Sequence, residues 1–321
     1  MITIKQIARN LGLSHSTVSR ALNDHPSISR ATKNRVHAEA AKHGYIVNQA
    51  ANAMKGGHTS SVGLLIPDID NAFYAKLTSR LSEIFRAENT NLILSVTGEN
   101  PEHEEFSIQQ LVSLRPRAIF AVPSPAMTQR AEAVFRDNNV VQLIRRSDRL
   151  PELSFIGIDE ISGICEATRH LYRQGHRRVG YFGRALDVST GVERLQGFEK
   201  GCRECGLDIP PEYVVLSPSD FDQAKILVDR MLSDNPITGL VVGGELLTQA
   251  VWSYVLDRGL EVPGQLAVVG YGDFDWVRTI QRPGEKLRLP LAEIAKSCSR
   301  FVNGDDMRRA PEEIRHAPGI G

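Results

Sequence analysis

The sequence predicts an N-terminal all-α helix-turn-helix headpiece followed by a larger α/β body built on two doubly wound parallel sheets. Three observations predict this. Helix start and stop signals can be read one residue at a time over the first 60 positions, short apolar runs alternate with amphipathic helical stretches from residue 61 onward, and charge is divided between the two parts. Residues 1–60 carry eight Lys or Arg against Asp24 and Glu39, a net of +6, and because the whole chain balances 38 against 38, the remainder carries −6. A basic head on an acidic body is the electrostatic footprint of phosphate binding by one segment. Five of the nine His residues also fall in the head.

In the head, Thr3 and Gln6 have capping-box spacing, and Ile4, Ile7, Ala8 and Leu11 follow on one helical stripe, so a first helix starts at Thr3. Gly12 stops it, since glycine accepts a left-handed position without a Cβ clash. Ser14 is the next N-cap, and Leu13 before it is spaced for a hydrophobic staple to Val18. At about 100° per residue, Val18, Ala21 and Leu22 share the packed face, which turns Ser16, Ser19, Arg20 and Asn23 outward with His15 and Thr17 on the flanks. Short polar groups and one Arg suit base edges and phosphates. In such motifs the second helix enters the major groove N-terminus first, placing His15 and Ser16 nearest the bases, while Arg20 pairs with a guanine or clamps a phosphate. A third helix runs from an N-cap at Ser29 to Gly44, with Tyr45 and Ile46 closing the small core. From Asn48, residues 49–55 read as about two helical turns before Gly56 and Gly57, too short to stand without a partner. Met54 is its one large apolar side chain, suited to a wedge between base steps in the minor groove.

These residues, TIKQIARNLGLSHSTVSRALND and GYIVNQAANAMKGGHTSSVGLLIP, resemble the lactose-repressor/galactose-repressor (LacI/GalR) family of bacterial transcription regulators. The likeness continues through PDIDNAFY (67–74), GHRRVGYFG (175–183), RLQGF (194–198) and VVGYGDFD (268–275). It implies a periplasmic-binding-protein-like body, a homodimer on a pseudo-palindromic DNA operator, paired hinge helices in the minor groove, and a small-molecule effector that changes DNA affinity. Candidate DNA contacts are Thr3, Ser14, His15, Ser16, Thr17, Ser19, Arg20, Asn23, Ser29, Asn48, Ala51 and Met54. Two departures stand out at the hinge: Asn52 where the family usually has Arg, and Met54 where it has Leu, so weaker minor-groove affinity is expected. PGEKLRLP (283–290) carries Glu285 and Lys286 in place of a pair of Thr. EEIRHAPGIG has neither the family's Arg-x-Ser ending nor a heptad repeat, so a dimer is expected rather than a tetramer.

The domain reading is 1–47 for the helix-turn-helix, 48–60 for the hinge and linker, and 61–321 for the effector-binding and dimerisation body. Candidate strands are 62–66, 92–96, 118–122 and 140–144 in a first lobe, with helices at 73–88 and 105–114. The second lobe takes strands at 178–182, 214–216, 240–242 and 266–271 and helices near 161–174, 192–205, 223–233 and 246–258. The resemblance implies three crossings between lobes, near 160, near 287–290 and near 312, giving a first lobe of 61–160 with 288–312 and a second of 161–287 with 313–321. With 41% apolar residues, the 321-residue chain exceeds the usual single-domain size. No apolar run reaches the roughly 20 residues of a membrane span and no hydrophobic signal segment opens the chain, so a cytoplasmic, nucleoid-associated protein is expected. Cys165, Cys202, Cys205 and Cys298 are too scattered for a disulfide framework, and the Cys202/Cys205 pair has no second ligand pair for a metal.

Open α/β sheets bind ligands outside the carboxyl ends of their strands. The candidates there are Asp68, Asn71, Phe73 and Tyr74 after the first strand, Arg145 and Arg146 after the fourth, Asp159 near the first crossing, and Thr190, Arg194, Phe221, Asp273 and Asp275 from the second lobe. The resemblance singles out Phe73 and Tyr74 as stacking surface, Arg194 as a polar anchor, and an acid after Gly270-Tyr271-Gly272 as a hydroxyl acceptor. Arg, Asp and aromatic groups together suit a polyhydroxylated or anionic metabolite, such as a sugar or sugar acid. No Gly-x-Ser-x-Gly elbow, Walker loop or His-Glu-x-x-His occurs, so neither a catalytic residue, a cofactor nor a metal is expected. The alternatives are a helix-turn-helix fused to an α/β enzyme and a freestanding solute-binding protein.

Overall fold

The computed structural model describes residues 2–22, 25–45, 59–272, 284–304 and 312–321. Contacts divide the chain into two units, Met1–Thr59 and Ser60–Gly321.

The first unit holds α1 (Ile4–Leu11), α2 (His15–Leu22) and α3 (Arg30–Lys42). The expected caps form: the Thr3 amide donates to Gln6 Oε1 at 2.9 Å and the Gln6 amide to Thr3 Oγ1 at 3.3 Å. Gly12 sits at φ 65° and lets the Leu13 amide reach back to the Ala8 carbonyl at 2.9 Å, closing α1. Ser14 Oγ then accepts from the Thr17 amide at 3.0 Å, opening α2. Ile7, Ala8, Val18, Ala21, Leu22, Val36 and Ala40 form the core, with Leu13, Ile28 and Tyr45 packed at its edge. A core this small relies on its caps, each contributing about 1 kcal/mol.

The second unit contains two six-stranded sheets. The first combines β1 (Ser61–Ile66), β2 (Asn91–Val96), β3 (Ile119–Ala121), β4 (Val140–Leu143), β5 (Phe155–Ile158) and β11 (Glu313–His316) in the order β11-β5-β4-β3-β1-β2, all parallel. The second combines β6 (Val179–Arg184), β7 (Val214–Ser217), β8 (Gly239–Gly243), β9 (Ala267–Tyr271), β10 (Glu285–Arg288) and β12 (Gly319–Ile320) in the order β12-β10-β9-β8-β6-β7, parallel except at β12. The crossovers are α4 (Ala72–Ala87), α5 (Pro101–Ser113), α6 (Gln129–Asp137), α7 (Glu160–Arg173), α8 (Ser189–Cys205), α9 (Phe221–Asp234), α10 (Glu245–Arg258) and α11 (Leu291–Asn303). Every residue of β1 and of β8 is buried, as expected of central parallel strands covered on both faces.

Sequence periodicity placed the main strands within a few residues but missed β5, β10, β11 and β12, whose runs of two to four residues are too short to read, and α6 and α11, although α11 buries Ile294, Ala295, Cys298 and Val302 on one stripe. The third crossing lies between His316 and Gly319 rather than near 312, because residues 313–316 extend the first sheet in register with β5 (Glu313 opposite Phe155). In α8, Gly197 and Gly201 let the helix approach α7 closely: an added Cβ would lie 2.6 Å from the Ile161 carbonyl oxygen or 2.7 Å from Thr168 Cβ. Such overpacking costs about 1–3 kcal/mol. This close contact fixes the position of α8, which carries Thr190 and Arg194.

Cys165, Cys202 and Cys298 are buried in α7, α8 and α11, and burial pushes the Cys202 thiol up to about 12. Among the described residues no group of His, Cys, Asp and Glu could hold a metal ion, and no helix is long and apolar enough to cross a membrane.

Candidate functional site

On the first unit, α2 presents His15, Ser16 and Arg20 to solvent, with Thr17 and Ser19 half-buried beside them. The Ser14 hydroxyl bonds those of Ser16 and Thr17, both at 2.8 Å, so the first turn of α2 presents a linked set of hydroxyls. Thr3 and Ser29 cap α1 and α3; Ser29 Oγ accepts from the Thr32 amide at 3.2 Å. Asn23, Asn48, Ala51 and Met54 lie outside the described residues. One of the head's two acids, missed as an organiser, braces the fold. Glu39 accepts from Asn10 of α1 at 2.7 Å and pairs with His43 at 3.0 Å, and the Asn10 amide holds its carboxyl below the usual carboxylate range. The only signal for it in the sequence is an acid at position 39 in an otherwise basic segment.

In the second unit a cavity of about 430 Å³ opens at the carboxyl ends of the strands of both sheets. The first lobe lines it with Pro67–Asn71, Phe73 and Tyr74 after β1, Val96, Gly98 and Glu99 at the end of β2, and Ile144 and Arg145 after β4. The second lobe supplies Arg184, Thr190, Arg194, Pro218, Gly244, Glu245 and Tyr271. The cavity thus brings together seven predicted residues: Asp68, Asn71, Phe73, Tyr74, Arg145, Thr190 and Arg194. Phe73 and Tyr74 meet edge to face at 5.1 Å, and Asn71 Oδ1 accepts from the Phe73 amide at 3.0 Å, so Asn71 is the N-cap that positions both rings.

Arg194 is held by three partners of its own lobe. Nη1 donates to the Gly243 carbonyl at 3.1 Å, and Nη2 donates to Glu160 Oε1 at 2.6 Å and to the Tyr271 hydroxyl at 2.7 Å. The Tyr271 hydroxyl in turn donates to Glu160, whose oxygens lie at 2.8 and 2.9 Å, and Arg194 Cζ lies 4.0 Å from the tyrosine ring centroid. Burial works against the Arg194 charge, but Glu160 and Tyr271 outweigh it and raise its pKa. Burial also pushes Tyr271 far above its ordinary value. Glu160 was not foreseen; it opens α7 in a stretch of sequence that reads as a plain crossover.

The opposite wall is built differently. Ile144 has φ 65°, rare and strained for a β-branched residue, and the Arg145 amide donates to the Leu143 carbonyl at 2.6 Å, forming a γ-turn. This turn ends β4 one residue earlier than the predicted strand and accompanies the placement of Arg145 on the cavity wall rather than in line with the strand. Arg145 Nη2 donates to Glu99 Oε1 at 2.9 Å, and Arg184 Nη2, from the end of β6, reaches Glu99 Oε2 at 3.4 Å. Burial acts to raise Glu99, but the two guanidiniums outweigh it and hold the carboxyl below the usual range. Beneath this wall Glu104 of α5 is fully buried; Oε1 accepts from the Ser124 amide at 2.8 Å, Oε2 has no partner, and burial pushes its carboxyl up to about 7.

Other predicted ligands sit elsewhere. Arg146 is outside the cavity: with Arg315 of β11 it grips Glu193 of α8, at 3.1 Å from Arg146 and 2.9 Å from each of two Arg315 nitrogens, tying the lobes together. Asp159 caps α7, accepting from the Ser162 amide at 3.1 Å. Phe221 opens α9 and is not on the cavity wall. Asp273 and Asp275 lie outside the described residues.

A helix-turn-helix unit in one chain with a two-lobed α/β body and a polar interlobe cavity is the make-up of a two-part regulatory protein. Residues 3–48 match the family described as bacterial regulatory proteins, lacI family, and residues 168–314 match a periplasmic binding protein-like domain. The HTH-type transcriptional regulator GalR of Escherichia coli (strain K12) is 26% identical over 316 residues, covering 97% of this chain and 92% of GalR. Catabolite control protein A of Priestia megaterium is 26% identical over 284 residues, covering 88% and 85%. A Lac repressor structure bound to ONPG superposes with a TM-score of 0.83 at 17% identity, covering 100% of this chain and 98% of the other. The chain thus joins a segment that matches the lacI family of bacterial regulatory proteins to one that matches a periplasmic binding protein-like domain, and it is similar to GalR over nearly its whole length.

Proposed function

We propose that the protein is a DNA-binding transcriptional regulator, a repressor, that occupies a pseudo-palindromic operator as a homodimer and is controlled by a small metabolite in the interlobe cavity. One observation carries this reading: a capped helix-turn-helix with His15, Ser16 and Arg20 exposed on α2, in a segment of net charge +6, shares its chain with a cavity lined from both lobes. Phosphates favour the basic segment and the exposed α2 residues suit base edges. The first lobe offers a dimer surface on edge strand β2, where Leu94 is 38% exposed. Ligand in the cavity changes the angle between lobes, hence the spacing of the residue 48–57 segments in the dimer; coupling of this kind is typically about 1–3 kcal/mol. The protein works without catalysis, in the cytoplasm.

The test is selection of genomic fragments by the purified protein, followed by operator titrations at several salt concentrations. Arg20→Ala is expected to weaken operator binding by about 1–3 kcal/mol if Arg20 reads a base, or mainly to flatten the salt dependence if it holds a phosphate. Failure to prefer any fragment over bulk duplex would overturn the reading.

A further inference from the structure

The charged wall of the cavity narrows the kind of metabolite it takes. Arg145 and Arg194 are 6% and 9% exposed, and the Arg184 side chain 14%. All three line the cavity. Arg145 and Arg184 come from opposite lobes and share a single carboxylate, Glu99, at 2.9 and 3.4 Å. Arg184 also lies 3.6 Å from Asp187, so its charge is divided between two acids while Arg145 relies on Glu99. Moreover, Arg145 Nη1, Arg184 Nε and Arg194 Nε are buried donors without a hydrogen-bond partner. Buried donors of cationic groups call for acceptors, and oxyanions are the acceptors that also balance charge. The same wall includes Thr190, in the first turn of α8, a 17-residue helix whose N-cap is Val188 and which has no side-chain cap. Its first amides and the positive end of its dipole favour an anion as well. The remaining acids on the lining, Asp68, Asp70 and Glu245, are acceptors suited to hydroxyl groups.

We propose that the effector is an anionic polyol, a sugar acid or sugar phosphate, whose oxyanion is held between Arg145 of one lobe and Arg184 of the other with Arg194 and Thr190 beside it. This rests on the reading of the cavity as the effector site. Because the anion is shared between the lobes, its charge draws them together, so ligand charge and interlobe angle are coupled.

A bacterial metabolite extract separated by anion exchange into neutral and anionic pools tests this, each pool being scored by the thermal shift of the full-length protein. The anionic pool is expected to stabilise the wild type. R145Q and R184Q should lose at least tenfold in the dose of anionic pool needed for half the shift, while R145K, which retains the charge, recovers much of that loss. Phosphatase treatment of the pool separates the sources: loss of the shift identifies a phosphate, retention a carboxylate. D-gluconate and D-glucose 6-phosphate, each against D-glucose, are the defined probes, and at least one anion should bind tenfold or more tightly than the neutral sugar. Stabilisation by the neutral pool alone, undiminished in R145Q, would overturn the anionic assignment and leave the effector cavity standing. Stabilisation by neither pool would overturn both.

Discussion

In the second lobe, buried Glu160 meets the Arg194 guanidinium at 2.6 Å and the Tyr271 hydroxyl at 2.8 Å; in the first, buried Glu104 meets only the Ser124 amide at 2.8 Å, and its other oxygen has no partner. The two lobes repeat one strand order, so topology does not dictate this difference. What differs is where the cations go. The second lobe places Arg194 on its own buried carboxylate and so builds a rigid polar centre, whereas the first directs Arg145 through a strained turn toward Glu99 and the cavity. One wall therefore pairs its cation with a buried acid of its own lobe, and the other shares its acid with a cation of the opposite lobe. That asymmetry suits a site in which a fixed lobe orients a ligand and a second lobe responds to it.

The largest expected effect is at Arg194. Arg194→Ala strands the Glu160 carboxylate in a buried site and should cost about 3–5 kcal/mol in urea unfolding, while the double change Arg194→Met with Glu160→Leu should recover much of that, since apolar replacements remove both charges together. A double variant no more stable than Arg194→Ala alone would show that the two lobes do not differ in the way described.

Glu104 comes next. Folding raises its carboxyl from an ordinary 4.5 to about 7, so the folded state binds the proton more tightly than the unfolded chain does. Its stabilising contribution is present in full below about 4.5 and is lost as pH rises through about 7, a change of at most about 3 kcal/mol. Urea unfolding from about pH 5 to about pH 8 should show the wild type losing more stability than Glu104→Gln, which has no proton to lose. Parallel pH profiles would assign Glu104 a hidden charge partner and erase the contrast.

The smallest effect is expected at Glu99, whose side chain is 29% exposed and shared between two arginines. Glu99→Gln should cost about 1–2 kcal/mol, less than any change at Glu160, because the Glu99 side chain is partly exposed whereas that of Glu160 is buried. A cost equal to that at Glu160 would make the first wall as self-contained as the second.

Much of the fold was legible because its signals are local. Thr3 with Gln6, Gly12, Ser14 and Ser29 each act within three or four residues of themselves, and the central strands announce themselves as runs of Val, Ile and Leu. The cavity was legible only in part. Phe73, Tyr74 and Arg194 stand in stretches that carry family likeness and Thr190 follows a strand end, whereas Glu99 meets partners 46 and 85 residues away and Glu160 meets one 34 residues away. No spacing rule links such positions; only the sheet order brings them together. Arg146 misled for the opposite reason. It adjoins Arg145, yet successive residues leave a strand on opposite sides, and it turns to Glu193 instead.

Residues 313–320 supply the outermost strand to both sheets, with only Ala317 and Pro318 between β11 and β12. Synthesis on the ribosome proceeds from the other direction, so β5 remains a bare edge until residue 316 has been made and β10 until residue 320. Such edges can pair with other chains, which makes the interval before completion the stage most open to misassembly. A nascent chain interrupted before residue 313 would carry two of these edges, and the translation of eight residues closes both.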